Sequence, residues 1–530
     1  MSQPSGSNRI ARAAATVMAA FLLSNVTGLI REILVSRAFG TGTEIDAFNA
    51  ALNVSNIVFY LMAGGALASA FLPIYTDFLT RGDRDGADEL ACAVASWVGL
   101  LMFAASLLAF AFAAPLVQQV VAPGFLPQEQ VITVRLLRIL LISPTIFGLS
   151  GLVMGILNAH QHFLLPALAP SLYWLGIILG VLFLVPHMGI NGLAWGAVVG
   201  ALMHLTIQLP GLRGIHPKYR LSLGLSNPAV GEVVRLMGPR LIGQASVQVN
   251  VLVNTILASG QPEGSLTALA KAWMVMTVPE VVIAQAIGIA ALPTFATQAS
   301  HGELGHLRSS LAETMRGMFF LSLPASLGLI LLARPLVTVL FQRGDFTAHS
   351  TDLVSWALIF YSAGLVSHSM IEVLSRAFYA VHDTLTPVLT SLGSMALNVV
   401  FSLGLSSLFG HWGWMPHGGL ALANSLATTL EMTALTVIIS RRLGTPLDHA
   451  TRGSFGRSAL ATLGMVLALV AWGRVTLGSS SWIAGLGGVL VGLVGFWLLA
   501  LLLGSPEARS LPLLVWHWIR PAPVREAQSL

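Results

Sequence analysis

The 530-residue chain has one cysteine, Cys92, and two lysines, Lys218 and Lys271. A single thiol can form neither an internal disulfide nor a cysteine metal cluster, so Cys92 reads as a small apolar side chain in a helix. Neither lysine lies in a GK[ST] triplet, since Pro217 and Ala270 precede them. A Walker A phosphate loop is therefore excluded, and with it an ATP-driven pump in one chain. HExxH and GxSxG are absent as well. Charged residues make up only 9 % of the chain, against about 25 % in average proteins, so this is not a soluble chain. No enzyme and no cofactor is expected. His160 and His162 fall in a short turn and are expected to be solvated rather than to hold a metal.

What the chain does have is apolar length. Hydrophobic residues make up 55 % of it and the mean hydropathy is +0.80. Apolar runs of about 20 residues recur throughout, the length of helix that a 30 Å hydrocarbon core requires. The ten-residue alternation of a membrane β-barrel is missing. The fold class expected is an all-α polytopic membrane protein of about fourteen transmembrane helices. A polar start with Arg9 and Arg12 leads into a full-length span without an A-x-A site, so no cleavable signal peptide is expected. The sequence pI near 9.8 reflects loop arginines and not a nucleic-acid surface. With both termini cytoplasmic, most of the 27 lysines and arginines fall on the cytoplasmic side, as the positive-inside rule asks. The opposite orientation would put Arg441, Arg442, Arg452 and Arg457 outside.

The sequence also repeats itself. Leu72-Pro73-Ile74-Tyr75 returns as Leu292-Pro293-Thr294-Phe295, and Ala159 and Pro166 match Ala380 and Pro387 at the same spacing. Gly192-Leu193-Ala194 returns as Gly419-Leu420-Ala421. Six expected spans separate each pair, which makes this a parallel repeat. The expected division is a six-helix lobe over 1–212, a second over 213–445, two additional transmembrane helices over 446–505, and a cytoplasmic or interfacial tail over 506–530 that contains Trp516, Trp518 and Arg520. In such repeats the substrate binds between the halves, and rocking gives alternating access. The additional helices carry a small-residue seam, Gly485, Gly488 and Gly492, suited to close packing.

Residues 24–76 concentrate the charges that a membrane makes expensive. Arg31 and Glu32 interrupt an apolar helix that resumes at once with Ile33, Leu34 and Val35. Each such charge costs about 2.5–3.5 kcal/mol at mid-membrane on insertion scales. Arg31 either snorkels to the interface or lines a cavity where its planar guanidinium binds phosphate bidentately. Adjacent helical residues point about 100° apart, so Glu32 is expected to pair with another helix and not with Arg31. Asp46 follows a glycine turn and is either the N-cap of its own helix or a gate contact.

The phrases GLIREILVSRAFGTGTEIDAFNAA and GGALASAFLPIY, followed by APGF at 122–125, GLVMGILNAHQHFLLPALAP at 151–170, and QLP and MGP at 208–210 and 237–239, resemble the MurJ/MviN family. Those proteins are lipid II flippases of the multidrug/oligosaccharidyl-lipid/polysaccharide exporter superfamily, and the resemblance covers roughly residues 10–445. It implies a monomeric transporter of the bacterial cytoplasmic (inner) membrane serving peptidoglycan synthesis. Its partners would be lipid II or a similar undecaprenyl-pyrophosphate lipid together with membrane lipids. It also places Arg31 in the central cavity, makes Glu32 its acidic neighbour, matches Asp46 to the start of span two, and makes the additional helices a groove for a polyprenyl tail.

The chain departs from the family where members usually carry further cavity arginines. Asn25, Phe59 and Tyr60 stand there, and Met274 and Thr277 replace an arginine and a glutamate of span eight. Lys271 either reaches the cavity in compensation or snorkels outward. Arg240 after Pro239 and Glu280 after Pro279 lie at similar depth in one hairpin and are candidates for an ion pair. Glu372 and Arg376 are spaced i, i+4 and can pair on one helix face. Glu431 and Asn398 could join a cation site for Na+ or H+ coupling, although no metal ligand set can be assigned. Two other readings remain. One is an exporter of another lipid-linked oligosaccharide, or of a drug in exchange for a cation. The other is a non-transporting membrane scaffold.

Overall fold

The computed structural model describes residues 6–62, 66–213, 215, 222–224 and 227–510, and the regular structure among them is entirely helical. In chain order the main helices are α1 (Gly6–Phe39), α2 (Thr43–Met62), α3 (Ala66–Thr80), α4 (Arg84–Ala111), α5 (Pro127–Leu140), α6 (Ser143–Ala159), α7 (Leu164–Leu179), α8 (Ile190–Thr206) and α9 (Pro228–Ser259). There follow α10 (Ser265–Glu280), α11 (Ala286–Ser300), α12 (Leu304–Phe341), α13 (Ala348–Ala363), α14 (Leu365–Ala380), α15 (Leu385–His411), α16 (His417–Leu443), α17 (His449–Val475) and α18 (Gly488–Leu502). Lipid offers backbone groups no hydrogen-bond partner, so an apolar chain of this length satisfies them internally as helix.

Among the described residues, eleven helical stretches are long and apolar enough to cross a membrane, and the bent pair α13–α14 makes twelve. That count covers the described residues alone and does not confirm the expected fourteen. Expected spans two and seven, near 46–75 and 232–258, are the two outside it, and each includes residues or side chains that are not described. Helix α2 is polar along one side, with Asp46, Asn49 and Asn53. The tail with Trp516, Trp518 and Arg520 lies outside the described residues.

The chain forms two compact units, one of Met1–Thr267 with Phe341–Ser350, the other of Ala268–Leu340 with Thr351–Leu530. Within the first, Phe71, Tyr75, Leu90, Met102 and Leu157 lie in one core. Within the second, Phe295, Leu311, Met318 and Phe378 form another, and Phe320, Leu332, Met465 and Phe496 a third. That third core joins α12 to α17 and α18. The glycine seam is part of it: Gly488 faces Leu332 and Gly492 faces Leu469.

The repeat recurs in backbone geometry. Gln161 and His382, each two residues after the matched Ala159 and Ala380, have φ of 60° and are the non-glycine residues with positive φ among the described residues. Each sits in the same turn: His162 N–H donates to Leu157 O at 2.8 Å, and Asp383 N–H to Phe378 O at 3.0 Å. Gly192 lies against the Leu184–Val185 backbone as Gly419 lies against Leu405–Ser406, approaches that a Cβ would block.

Two carboxylates fasten helix ends in the second unit. Glu507 is 8 % exposed and accepts from Ser454 Oγ and Ser505 Oγ, each at 2.7 Å, with Arg316 Nε 3.7 Å away. It pins the segment after α18 to α17 and α12. Asp383 accepts from Thr386 Oγ1 at 2.6 Å and Thr386 N–H at 2.9 Å, and pairs with Arg442. The Thr386 hydroxyl, the Thr386 amide and then Arg442 hold its carboxyl down at about 2. A depressed carboxyl contributes stability above its unfolded value and loses it as pH falls toward its folded value. Asp383→Ala should therefore lower the thermal midpoint of the purified protein at pH 7, by about 1 kcal/mol of lost capping. The gap to the parent should narrow between about pH 4 and pH 2. Equal midpoints at pH 7 would remove the capping role.

Candidate functional site

Arg31 lies on α1 with its side chain 19 % exposed. Its Nη2 is 2.9 Å from Glu32 Oε2, so the adjacent residues do pair, contrary to the expectation from helix geometry. Their Cβ atoms diverge, but the arginine stem is long enough to bring the guanidinium back over its neighbour. The guanidinium carbon sits 4.5 Å from the centroid of the Trp174 ring on α7. Gly28, one turn earlier, leaves room for that ring, since a Cβ there would lie 3.4 Å from Trp174 Nε1. An acidic partner and an aromatic face together offset the cost of the charge. Arg31 Nε is buried without a hydrogen bond among the described residues.

A row of rings continues from Trp174. Tyr173 is 4.7 Å away, Phe147 lies 5.1 Å from Tyr173, and Phe59 lies 5.6 Å from Phe147 and 5.2 Å from Tyr60. Two of the positions where relatives are expected to carry arginines, Phe59 and Tyr60, thus complete an aromatic wall. Behind it, Ser150 Oγ meets His204 Nδ1 at 2.7 Å, and Gln208 Nε2 donates to Ser150 Oγ at 2.8 Å. His204 stands alone in an apolar run, so nothing in the sequence marks it. Asn25 is exposed on α1. Six residues separate it from Arg31, about 120° around the helix, so the two do not share a face.

Asp46 is not the N-cap of its own helix. Helix α2 begins at Thr43, and the Asp46 carboxylate, 5 % exposed, reaches across to the start of α10. Oδ2 accepts from Gly264 N–H at 2.8 Å, while Oδ1 accepts from Thr267 N–H at 2.8 Å and Thr267 Oγ1 at 2.5 Å. It thus satisfies the free N–H groups of another helix and complements its dipole. Thr43 N–H donates to Glu263 Oε1 at 2.9 Å, Asn49 Nδ2 to Thr267 Oγ1 at 2.9 Å, and Asn53 Nδ2 to Thr255 Oγ1 at 3.0 Å. Positions 43, 46, 49 and 53 lie on one face of α2, and that polar face stitches it to α9, α10 and the turn between them.

In the second unit, Lys271 is 3 % exposed. It is inside the protein and has not snorkelled to a surface. Glu372 and Arg376 pair on α14 at 3.0 Å, and Glu280 stands within electrostatic range of Glu372. The Arg240 side chain lies outside the described residues. Glu431 on α16 hydrogen-bonds Ser394 on α15. Buried Asn398 is one turn further along α15, accepting from Ser402 Oγ at 3.3 Å. Met274 and Thr277 bond each other locally, the Thr277 hydroxyl donating to Met274 O at 2.9 Å. His160 is half-buried, and its Nε2 lies 3.2 Å from the Tyr75 hydroxyl. It is therefore not a freely solvated turn residue as expected. No group of three His, Cys, Asp or Glu suited to a metal occurs among the described residues.

The chain matches the family model described as lipid II flippase MurJ over residues 35–491. It is 32 % identical over 439 residues to the lipid II flippase MurJ of Burkholderia cenocepacia, covering 81 % of this chain and 84 % of that one. It is 28 % identical over 532 residues to the probable lipid II flippase MurJ of Rhizobium tropici, covering 97 % and 98 %. Among solved structures, a lipid II flippase MurJ in an inward closed conformation is similar at a TM-score of 0.75 and 24 % identity, covering 93 % of this chain and 99 % of that one. An inward-facing multidrug resistance MATE family transporter of the MOP superfamily is similar at 0.67 and 17 %, covering 83 % and 99 %. These two likenesses speak to the fold. With the family model matching most of its length and a relative at 32 % identity over four fifths of it, the chain belongs to the lipid II flippase MurJ family.

Proposed function

We propose that this protein flips lipid II, the undecaprenyl-pyrophosphate-linked peptidoglycan precursor, across the bacterial inner membrane by alternating access. The observation that carries the reading is Arg31: a guanidinium kept in an apolar helix, held by Glu32 and Trp174, and still 19 % exposed. Glu32 is the resident counter-ion. An arriving pyrophosphate offers more acceptor oxygens and displaces it, with Trp174 covering the guanidinium face so that its edge meets the phosphate. Family membership supports this substrate.

The Asp46 bonds to Gly264 and Thr267 are the proposed latch of the cycle, remade each time the transporter returns to this state. For coupling, Glu431, Ser394 and Asn398 are the proposed oxygen ligands of a hard cation such as sodium, which would supply positive charge at Glu431. Both termini are read as cytoplasmic. The aromatic wall at Phe59 and Tyr60 favours one second reading, a drug exporter, because flat apolar cargo suits rings better than phosphate does.

Complementation of a cell depleted of its own lipid II flippase, with outer-leaflet lipid II measured, separates the two. Rescue is expected; failure despite verified membrane expression would favour the exporter. Arg31→Ala should lower lipid II exposure by about tenfold or more, about 1.4 kcal/mol, with normal insertion, and Arg31→Lys should recover part of it. Undiminished export by the alanine variant would leave Arg31 without a role in transport.

Asp46→Ala strands two buried N–H donors, a cost on the order of 3 kcal/mol. Hydrogen exchange at residues 264–267 should accelerate while exchange in α15 and α16 stays unchanged. Unaltered protection at 264–267 would show that the latch contributes nothing.

For topology, a single cysteine at exposed Arg452 in a Cys92→Ser background should resist an impermeant thiol reagent in intact cells. Ready labelling would reverse the assigned orientation.

A further inference from the structure

Trp273 lies on α10 beside Met274, where the expected family arginine is missing. It is 36 % exposed. Its indole meets the Tyr361 ring at 5.2 Å and 74°, and the His368 ring at 5.3 Å and 80°. Two near-perpendicular neighbours fix the plane of the ring while more than a third of the residue stays uncovered. His368 is itself held, its Nε2 being 3.1 Å from Asn424 Oδ1 and 3.4 Å from Thr428 Oγ1. Across the same two helices, the hydroxyls of Ser367 and Thr429 meet at 2.9 Å.

An uncovered indole in a membrane protein faces acyl chains, the membrane boundary, or a polar space inside the protein. Acyl chains do not suit this one, because its ring neighbours are a phenol and an imidazole, the imidazole held in turn by an amide and a hydroxyl, and such groups are costly against lipid. The boundary does not suit it either. Trp273 is about 12 Å into its span from Ser265, at 1.5 Å per residue, and that span continues to Ser300. A polar interior space remains. With Lys271 buried, the uncovered group at this point is a flat ring. Phosphate has little to gain from that ring, whereas the polarised C–H bonds of a sugar ring match its electron-rich face.

We propose that Trp273 is a stacking platform for a pyranose ring of the lipid-linked substrate, and so a specificity determinant for the glycan part of the cargo. The inference rests on the reading that the cargo is lipid II.

The test compares two probes, lipid II and sugar-free undecaprenyl pyrophosphate, by binding to the full chain in nanodiscs. Trp273→Ala should weaken lipid II binding about tenfold, about 1.4 kcal/mol, and leave undecaprenyl pyrophosphate unaffected, while Trp273→Phe stays near the parent for both. Equal loss for both probes, or loss for neither, overturns the stacking role. Should the alanine variant fail to fold, Trp273→Leu keeps the apolar bulk without the ring and is held to the same criteria. Arg31→Ala reports separately, by weakening both probes. A parent protein that binds neither probe overturns the substrate reading, and the stacking role with it.

Discussion

A charge inside an apolar helix persists only when another group answers it, and that requirement arranges the interior of both units. Arg31 is answered twice, by the carboxylate of Glu32 and by the face of Trp174. Asp46 is answered by buried N–H groups at the start of another helix, so that one polar residue satisfies several orphan donors. Glu372 takes Arg376 on its own helix face, and Glu507 takes two serine hydroxyls with Arg316 beyond them. Glu32 and Arg376 are neighbours along the same helix as their partners, whereas Trp174 and the Gly264 and Thr267 N–H groups come from other segments.

These answers differ in how easily they can be exchanged. A cation–π contact and a side-chain ion pair can be replaced by a ligand of the right charge without exposing any backbone group. Asp46 is different, since releasing it strands the N–H groups of Gly264 and Thr267 unless water reaches them. The exchangeable bonds therefore gather at Arg31, and the bonds that resist exchange gather where α2 meets the α9–α10 turn. A transporter needs both kinds: contacts that a ligand can compete for, and contacts that make one state distinct.

Much of this was legible in the sequence. Apolar run length gave the all-helical membrane class, and the matched phrases marked a repeat whose turns do share backbone form at Gln161 and His382. Arg31, Glu32 and Asp46 stood out because charge is rare in such a chain. Their partners did not. Trp174 reaches Arg31 only because α7 packs on α1 past Gly28, and no spacing along the chain encodes that. Asp46 looked like a cap because helix starts are read locally, whereas its true partner lies some 220 residues away. Nor does any spacing along the chain show that the α2 face bearing Asp46, Asn49 and Asn53 is committed to other helices.

The duplicated framework has not kept duplicated chemistry. Phe147 and His368 each stand twelve residues before the matched alanines, Tyr173 and Ser394 seven after the matched prolines, and His204 and Glu431 twelve after the matched glycines. In the first copy these positions supply rings, two of them in the aromatic row beside Arg31; in the second they supply an imidazole, a hydroxyl and a carboxylate. Backbone shape was inherited in both copies and side-chain function was divided between them. Two like halves in parallel would offer one chemistry twice, whereas halves that have specialised offer two.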